Sequence, residues 1–224
     1  MKKFDIKKVI PYVVAIVVFI AISMIYFSPL LEGKKLSQSD LINFKGSAKE
    51  IIDYRNATGQ EALWTNSMFG GMPAYQINIL SKTNIVPYIK EISFAGLPFP
   101  ANILFVLFLG FFILLITLKV DPWLSIIGAI AFAFSTYFLL FISVGHNSKA
   151  LAIAFMPAVM SGVILTYRGK YLLGGALTAL FMAIEISVNH VQMTYYMLMI
   201  VGFVSLFEFI YAIIEKNTNL FLYP

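Results

Sequence analysis

The sequence predicts an all-α membrane protein of about six transmembrane helices, with a long first loop outside the membrane that carries short interfacial helices. Three observations predict it. Hydrophobic residues make up 60% of the chain and charged residues only 12%, with a mean hydropathy of +0.85; a soluble domain is nearer a quarter charged. Apolar runs of about 20 residues, the length that crosses a bilayer, recur along the chain. The lysines and arginines, which bring the formal charge to +5, gather in short segments between these runs. That is the pattern of membrane orientation, not of nucleic-acid binding. The chain has no cysteine, which excludes disulfides, thiol chemistry and cysteine-ligated zinc.

The runs fall at 9–30, 99–118, 122–142, 150–167, 171–189 and 192–214. The first follows "MKKFDIKK". Its apolar stretch exceeds the roughly 7–15 residues of a signal-peptide core and no small-x-small cleavage site follows, so it reads as an uncleaved anchor. With the N-terminus inside, the inner segments hold Lys2, Lys3, Lys7, Lys8, Lys119, Arg168, Lys170 and Lys216, while the two short outer turns hold only Lys149. The positive-inside rule therefore puts both termini in the cytoplasm and residues 32–98 outside.

That outer loop is the one extensive polar region. Phe44, Ala48, Ile51, Ile52 and Arg55 fall on one helical stripe, as do Ile85, Ile89 and Ile92. Both segments read as short helices on the membrane surface or packed on the bundle. Between them, "LWTNSMFGGMPAYQ" combines Gly70-Gly71 and Pro73 with Trp64, Met68, Phe69 and Tyr75. It is expected to fold back onto the bundle. There it would be a packed loop, or a wall of a binding cleft to which Trp64 and Asn66 contribute.

Asp40 stands nine residues past Leu31, near the outer surface. A carboxylate there serves as a general base or cation ligand; the alternative is that Ser39 or Asp40 caps a helix. Glu185 lies inside an apolar run, where a carboxylate faces a bundle interior or a water cavity, and Lys149 is its expected partner. Glu208, near an inner end, gets no role.

The chain's two histidines, His146 and His190, each follow Ile-Ser-Val and one spacer, in "ISVGHNSKA" and "ISVNHVQMT". Both fall where an apolar run ends on the outer side. Around them stand Asn147, Lys149, Gln192 and Tyr195. Lys and His suit phosphate, Asn and Gln suit sugar hydroxyls, and Tyr stacks on sugar faces. Convergence on one outer pocket is the functional reading; polar residues at headgroup depth are the bland one. Neither spacing matches a zinc motif. The sequence has no Gly-rich phosphate loop and no G-x-S-x-G.

Taken in order, the Lys-rich start, one span, an early Asp, "LWTNSMFGGMP", "GHNSKA" and "NHVQMTYY" resemble the YfhO family of bacterial membrane proteins, which is related to the GT-C glycosyltransferases. The resemblance runs over nearly the whole chain. It implies a GT-C-like, multi-span fold in the cytoplasmic (inner) membrane. The implied activity is transfer of a sugar from a polyprenyl-phosphate carrier to an extracytoplasmic glycan, lipid or protein. It implies that Asp40 is catalytic and that the chain is an N-terminal fragment of a longer protein. Family sites often pair two acidic residues; Asp40 lies between Ser39 and Leu41, so a divalent cation at Asp40 is only weakly supported and no cofactor is named. Two other classes stay open: a transporter or flippase of a lipid-linked or polar solute centred on Glu185, and a non-catalytic envelope-assembly subunit that docks through the loop.

Overall fold

The computed structural model describes residues 6–78 and 83–214. Lys2, Lys3 and Lys216, used above for orientation, lie outside the described residues. The rest is all-α, with one two-stranded ribbon. The helices are α1 (Ile6–Tyr26), α2 (Ser39–Thr58), α3 (Val86–Ser93), α4 (Ala101–Thr117), α5 (Pro122–Ala133), α6 (Thr136–Val144), α7 (Asn147–Tyr167), α8 (Tyr171–Ser187) and α9 (Val191–Ile214).

Among the described residues, α1, α7 and α9 are each long and apolar enough to cross a membrane, and α5 with α6 passes the same test as a pair bent by 49°. The expected third span, 122–142, is therefore broken. Phe134 ends α5 and Ser135 starts α6 in an extended conformation. A serine competes for backbone hydrogen bonds and suits such a break. The expected second and fifth spans are α4 and α8, apolar helices of 17 residues each.

α4 is the centre. Ile103 to Phe108 are all buried along it, so it is apolar all round, as an enclosed helix must be. Phe19 of α1 stacks on Phe108 at 5.2 Å and meets Phe112 edge-on at 5.6 Å. α4 ends in a left-handed turn at Lys119, and Asp121 then caps α5 by accepting from the Trp123 and Leu124 N–H groups at 2.9 and 3.3 Å, with Pro122 in the first turn.

α7 packs between α4 and α8. Both α7 and α8 carry the pattern Gly-x-x-x-Thr: Gly162 and Thr166, Gly174 and Thr178. A Cβ on Gly162 would strike Thr178, and one on Gly174 would strike Thr166. On the other side, a Cβ on Gly110 of α4 would run into the Ala154 carbonyl of α7. Small residues let these backbones meet, as in membrane helix pairs generally.

The outer loop departs from expectation. α2 does present Ala48 and Ile51 to the interior. The 64–73 ribbon, however, does not fold onto the apolar bundle. It is held by α2: the Glu50 carboxylate accepts from the Thr65 hydroxyl and from the Asn66 and Ser67 backbone N–H groups, the latter two at 3.0 Å. Trp64 and Tyr75 stay exposed, and Phe69 is 89% exposed. One carboxylate collects three donors of the ribbon, and these charge-assisted bonds tie it to α2 rather than to the apolar bundle.

Candidate functional site

A cleft of about 370 Å3 lies where the start of α2 meets the α6–α7 turn, and its lining includes Asp40, Phe44, His146, Lys149 and His190. α2 is docked there by hydrogen bonds that also solve a problem for α6. The last carbonyls of a helix have no partner within it. Here the Gln38 side chain, buried, donates to the Ile142 carbonyl, and the Ser39 hydroxyl reaches the Val144 carbonyl at 3.4 Å. Gln38 also exchanges two amide hydrogen bonds with Asn147, each 3.1 Å. Gln38 occupies the N-cap position of α2 without a side-chain capping bond. Neither Ser39 nor Asp40 is the cap, so the capping alternative for Asp40 does not hold.

Asp40 sits instead in the first turn of α2, where the helix dipole favours a carboxylate. Its Oδ2 accepts from His146 Nδ1 at 3.0 Å. Both side chains are partly exposed, 53% for His146 and 38% for Asp40, so the pair contributes little to stability. What it does is fix the carboxylate's direction. Gly145 makes this approach possible: its φ is +107°, and a Cβ there would stand 3.1 Å from the Cβ atoms of both Asp40 and Gln38.

Lys149 reaches into the cleft from the first turn of α7. Its ammonium lies 4.4 Å from the Phe141 ring centroid and 5.7 Å from that of Tyr137, a cation–π arrangement. It does not pair with Glu185 as expected. Glu185 is fully buried and accepts from the Thr194 hydroxyl, 3.0 Å from each carboxylate oxygen. The Lys149 stem leans along the aromatic edge of α6, and α9 supplies Glu185 with a nearer neutral donor.

His190 comes to the cleft from the α8–α9 turn. Its Nδ1 is buried without a hydrogen-bond partner. Burial holds its pKa below the ordinary histidine value, with the charges of Lys149 and His146 adding to that and the pull of its own backbone opposing it.

Asp40, His146, Asn147, Lys149 and His190 thus share one cleft. The other expected residues do not line it. Gln192 donates to the Tyr196 hydroxyl at 2.9 Å, and Tyr195 is exposed beside Tyr196. Trp64 donates to the Asn66 side chain at 3.2 Å within the ribbon. Gln38 and Gly145 belong to the site and were not anticipated. A glycine directly before a histidine was the one local signal. The donor set does not fit a divalent cation: among the described residues no three His, Asp or Glu side chains converge on one point, and Asp40 shares its cleft with an ammonium.

In comparisons with family models, with curated proteins and with solved structures, the chain matches none.

Proposed function

We propose that the chain is a membrane glycosyltransferase-like protein that moves a sugar from a polyprenyl-phosphate carrier to a glycan, lipid or protein outside the bacterial cytoplasmic membrane. One observation carries the reading: a carboxylate held by a histidine faces a cleft that also contains a lysine and a second histidine whose Nδ1 is unbonded. The resemblance to the YfhO family supplies the reaction class.

The topology belongs to the same proposal. Six crossings follow if α4, α8 and the bent α5–α6 pair span together with α1, α7 and α9. A 17-residue helix is about 25 Å long at roughly 1.5 Å per residue, the short end of what spans. The lysine distribution then puts the N-terminus in the cytoplasm and the cleft outside.

In the proposed step the acceptor hydroxyl oxygen attacks the sugar's anomeric carbon. A new C–O bond forms there, and the bond from that carbon to the carrier phosphate oxygen breaks with inversion. The acceptor's proton passes to Asp40, whose Oδ2 is kept on His146. The departing phosphate takes the electron pair, and Lys149 offsets its charge. Asp40→Asn should lower transfer about 10²–10⁴-fold, the range for a general base, without loss of folded protein. The check is transfer from a polyprenyl-phosphate sugar by purified protein. Full activity in Asp40→Asn would sink the proposal.

Glu185 supports a second reading, a flippase, because a fully buried carboxylate in an apolar helix is costly and usually functional. Under that reading Glu185→Gln, but not Asp40→Asn, stops movement of a lipid-linked sugar across vesicle membranes.

A further inference from the structure

At the end of the bundle away from the cleft, α4, α7 and α9 enclose a second cavity of about 440 Å3. Leu118, Ile164 and Val204 form its apolar walls, and Lys119, Arg168 and Glu208 bring its charges.

These charges face one space but do not neutralise each other. Among the described residues, none of the three forms an ion pair within 4.0 Å. One guanidinium nitrogen of Arg168 donates to the Thr117 carbonyl at the end of α4. A guanidinium carries five N–H donors, so most remain for a ligand.

The backbone at Lys119 is a second, independent observation. α4 and α7 close with the same turn. Lys119 N–H bonds Ile116 O at 2.9 Å and Val120 N–H bonds Leu115 O at 3.0 Å; Gly169 N–H bonds Thr166 O and Lys170 N–H bonds Leu165 O, both at 3.0 Å. The left-handed residue is Gly169 in α7, at φ +77°, but Lys119 in α4, at φ +65°. Glycine takes this conformation freely, whereas a lysine is strained in it. The chain thus carries a lysine where its backbone favours glycine, and that side chain lines the cavity. Strain of this kind is concentrated at functional positions.

α9 supplies the surroundings. Beside Val204 and Glu208, its Phe203 and Phe207 are exposed apolar side chains, as on a lipid-facing helix. Basic pockets between membrane helices are general sites for phospholipid headgroups. A phosphate alone would leave Glu208 as a repulsive neighbour, and a simple cation would leave Lys119 and Arg168 unmatched.

We propose that this cavity holds the headgroup of a zwitterionic phospholipid. Its phosphodiester lies between Lys119 and Arg168, its primary ammonium lies at Glu208, and its first methylenes rest on Leu118, Ile164 and Val204. Native mass spectrometry of the full chain, equilibrated with phosphatidylethanolamine or phosphatidylglycerol vesicles or with chain-free glycerophosphoethanolamine, tests it. Phosphatidylethanolamine should be retained several-fold over phosphatidylglycerol, and glycerophosphoethanolamine not at all. Lys119→Gly should lose that retention several-fold while its unfolding midpoint without lipid stays level or rises. Lys119→Gln, which keeps a side chain but no charge, should lose retention too. Glu208→Gln should shift preference toward phosphatidylglycerol. Equal retention of both lipids by the unmodified chain, unchanged retention in either Lys119 variant, or binding of the chain-free headgroup as tightly as the lipid would overturn the proposal.

Discussion

The two histidine turns begin alike and end differently. In both, Ile-Ser-Val closes a helix, and the serine hydroxyl bonds back to a carbonyl three residues earlier: Ser143 to Leu140 at 2.8 Å, Ser187 to Ile184 at 2.7 Å. In both, a residue of positive φ stands immediately before the histidine, Gly145 at +107° and Asn189 at +60°. The next helix begins directly after. What differs is the neighbour. Gly145 has no Cβ, so α2 docks on the first turn and gives His146 a carboxylate. Asn189 is exposed, and the Nδ1 of His190 is left without a hydrogen bond. The same local backbone device thus yields an imidazole held against a carboxylate in one place and one whose Nδ1 has no hydrogen bond in the other. The distinction comes from a segment more than a hundred residues away.

The sharpest way to break this comparison is to remove each histidine in turn. Under the proposed reaction, His146→Gln frees the Asp40 carboxylate, and transfer should fall on the order of 10²-fold, the effect of small misplacement at a reacting group. The loss should appear in kcat. His190→Gln should cost less than about tenfold. Equal losses would show that Asp40 pairing does not separate the turns.

A smaller effect sharpens the steric half. Gly145→Ala forces a side chain into left-handed space and against Asp40 and Gln38, and should cost about 2 kcal/mol of stability in denaturant unfolding. Asn189→Gly should stay within about 0.5 kcal/mol of the unmodified chain.

The smallest effects lie in pH. The folded chain holds the His190 pKa below its ordinary value, so the unfolded chain binds the proton first as pH falls. Stability is then lost as pH drops from about 6.5 toward the lowered folded value, and nothing is lost above that range. His190→Gln should flatten this arm of a plot of melting temperature against pH. Glu50 provides the control outside the turns. The Thr65 hydroxyl, helped by the Asn66 and Ser67 amides against partial desolvation, lowers its pKa. Its contribution is present above the ordinary carboxylate range and lost as pH falls through the lowered value. Glu50→Gln should therefore change only the more acidic arm.

The apolar helices were legible in hydropathy, because a helix that faces lipid must be apolar, whereas the polar α2 showed only through its 44–55 stripe. His146 and His190 were legible as polar residues at the ends of apolar runs, and Asp40 as a carboxylate soon after the first run. Gln38 was not. It is one polar residue in a polar loop, and its meaning rests on the Ile142 carbonyl 104 residues away. Glu50 was hidden for the same reason on a shorter scale, since its amide partners lie 16 and 17 residues on. The expected Lys149–Glu185 pair failed because charge complementarity names possible partners but not directions. Lys149 found aromatic faces and Glu185 found a hydroxyl. The break at Ser135 was masked by apolar residues on both sides, so one span and a bent pair read alike.

The glycine contacts along α7 also bear on motion. Gly162 and Gly174 each sit where the opposite helix leaves no room for a Cβ, and Gly110 does the same against Ala154. Any displacement that put a residue other than glycine at these three points would drive a Cβ into the opposite helix. The seam is a keyed joint with one seating. α4, α7 and α8 must therefore shift together or not at all. α2 is joined to the α6–α7 turn in a different way, by the Gln38–Asn147 amide pair and the Gln38 bond to the Ile142 carbonyl, side-chain ties that a single substitution can cut without disturbing the keyed seam.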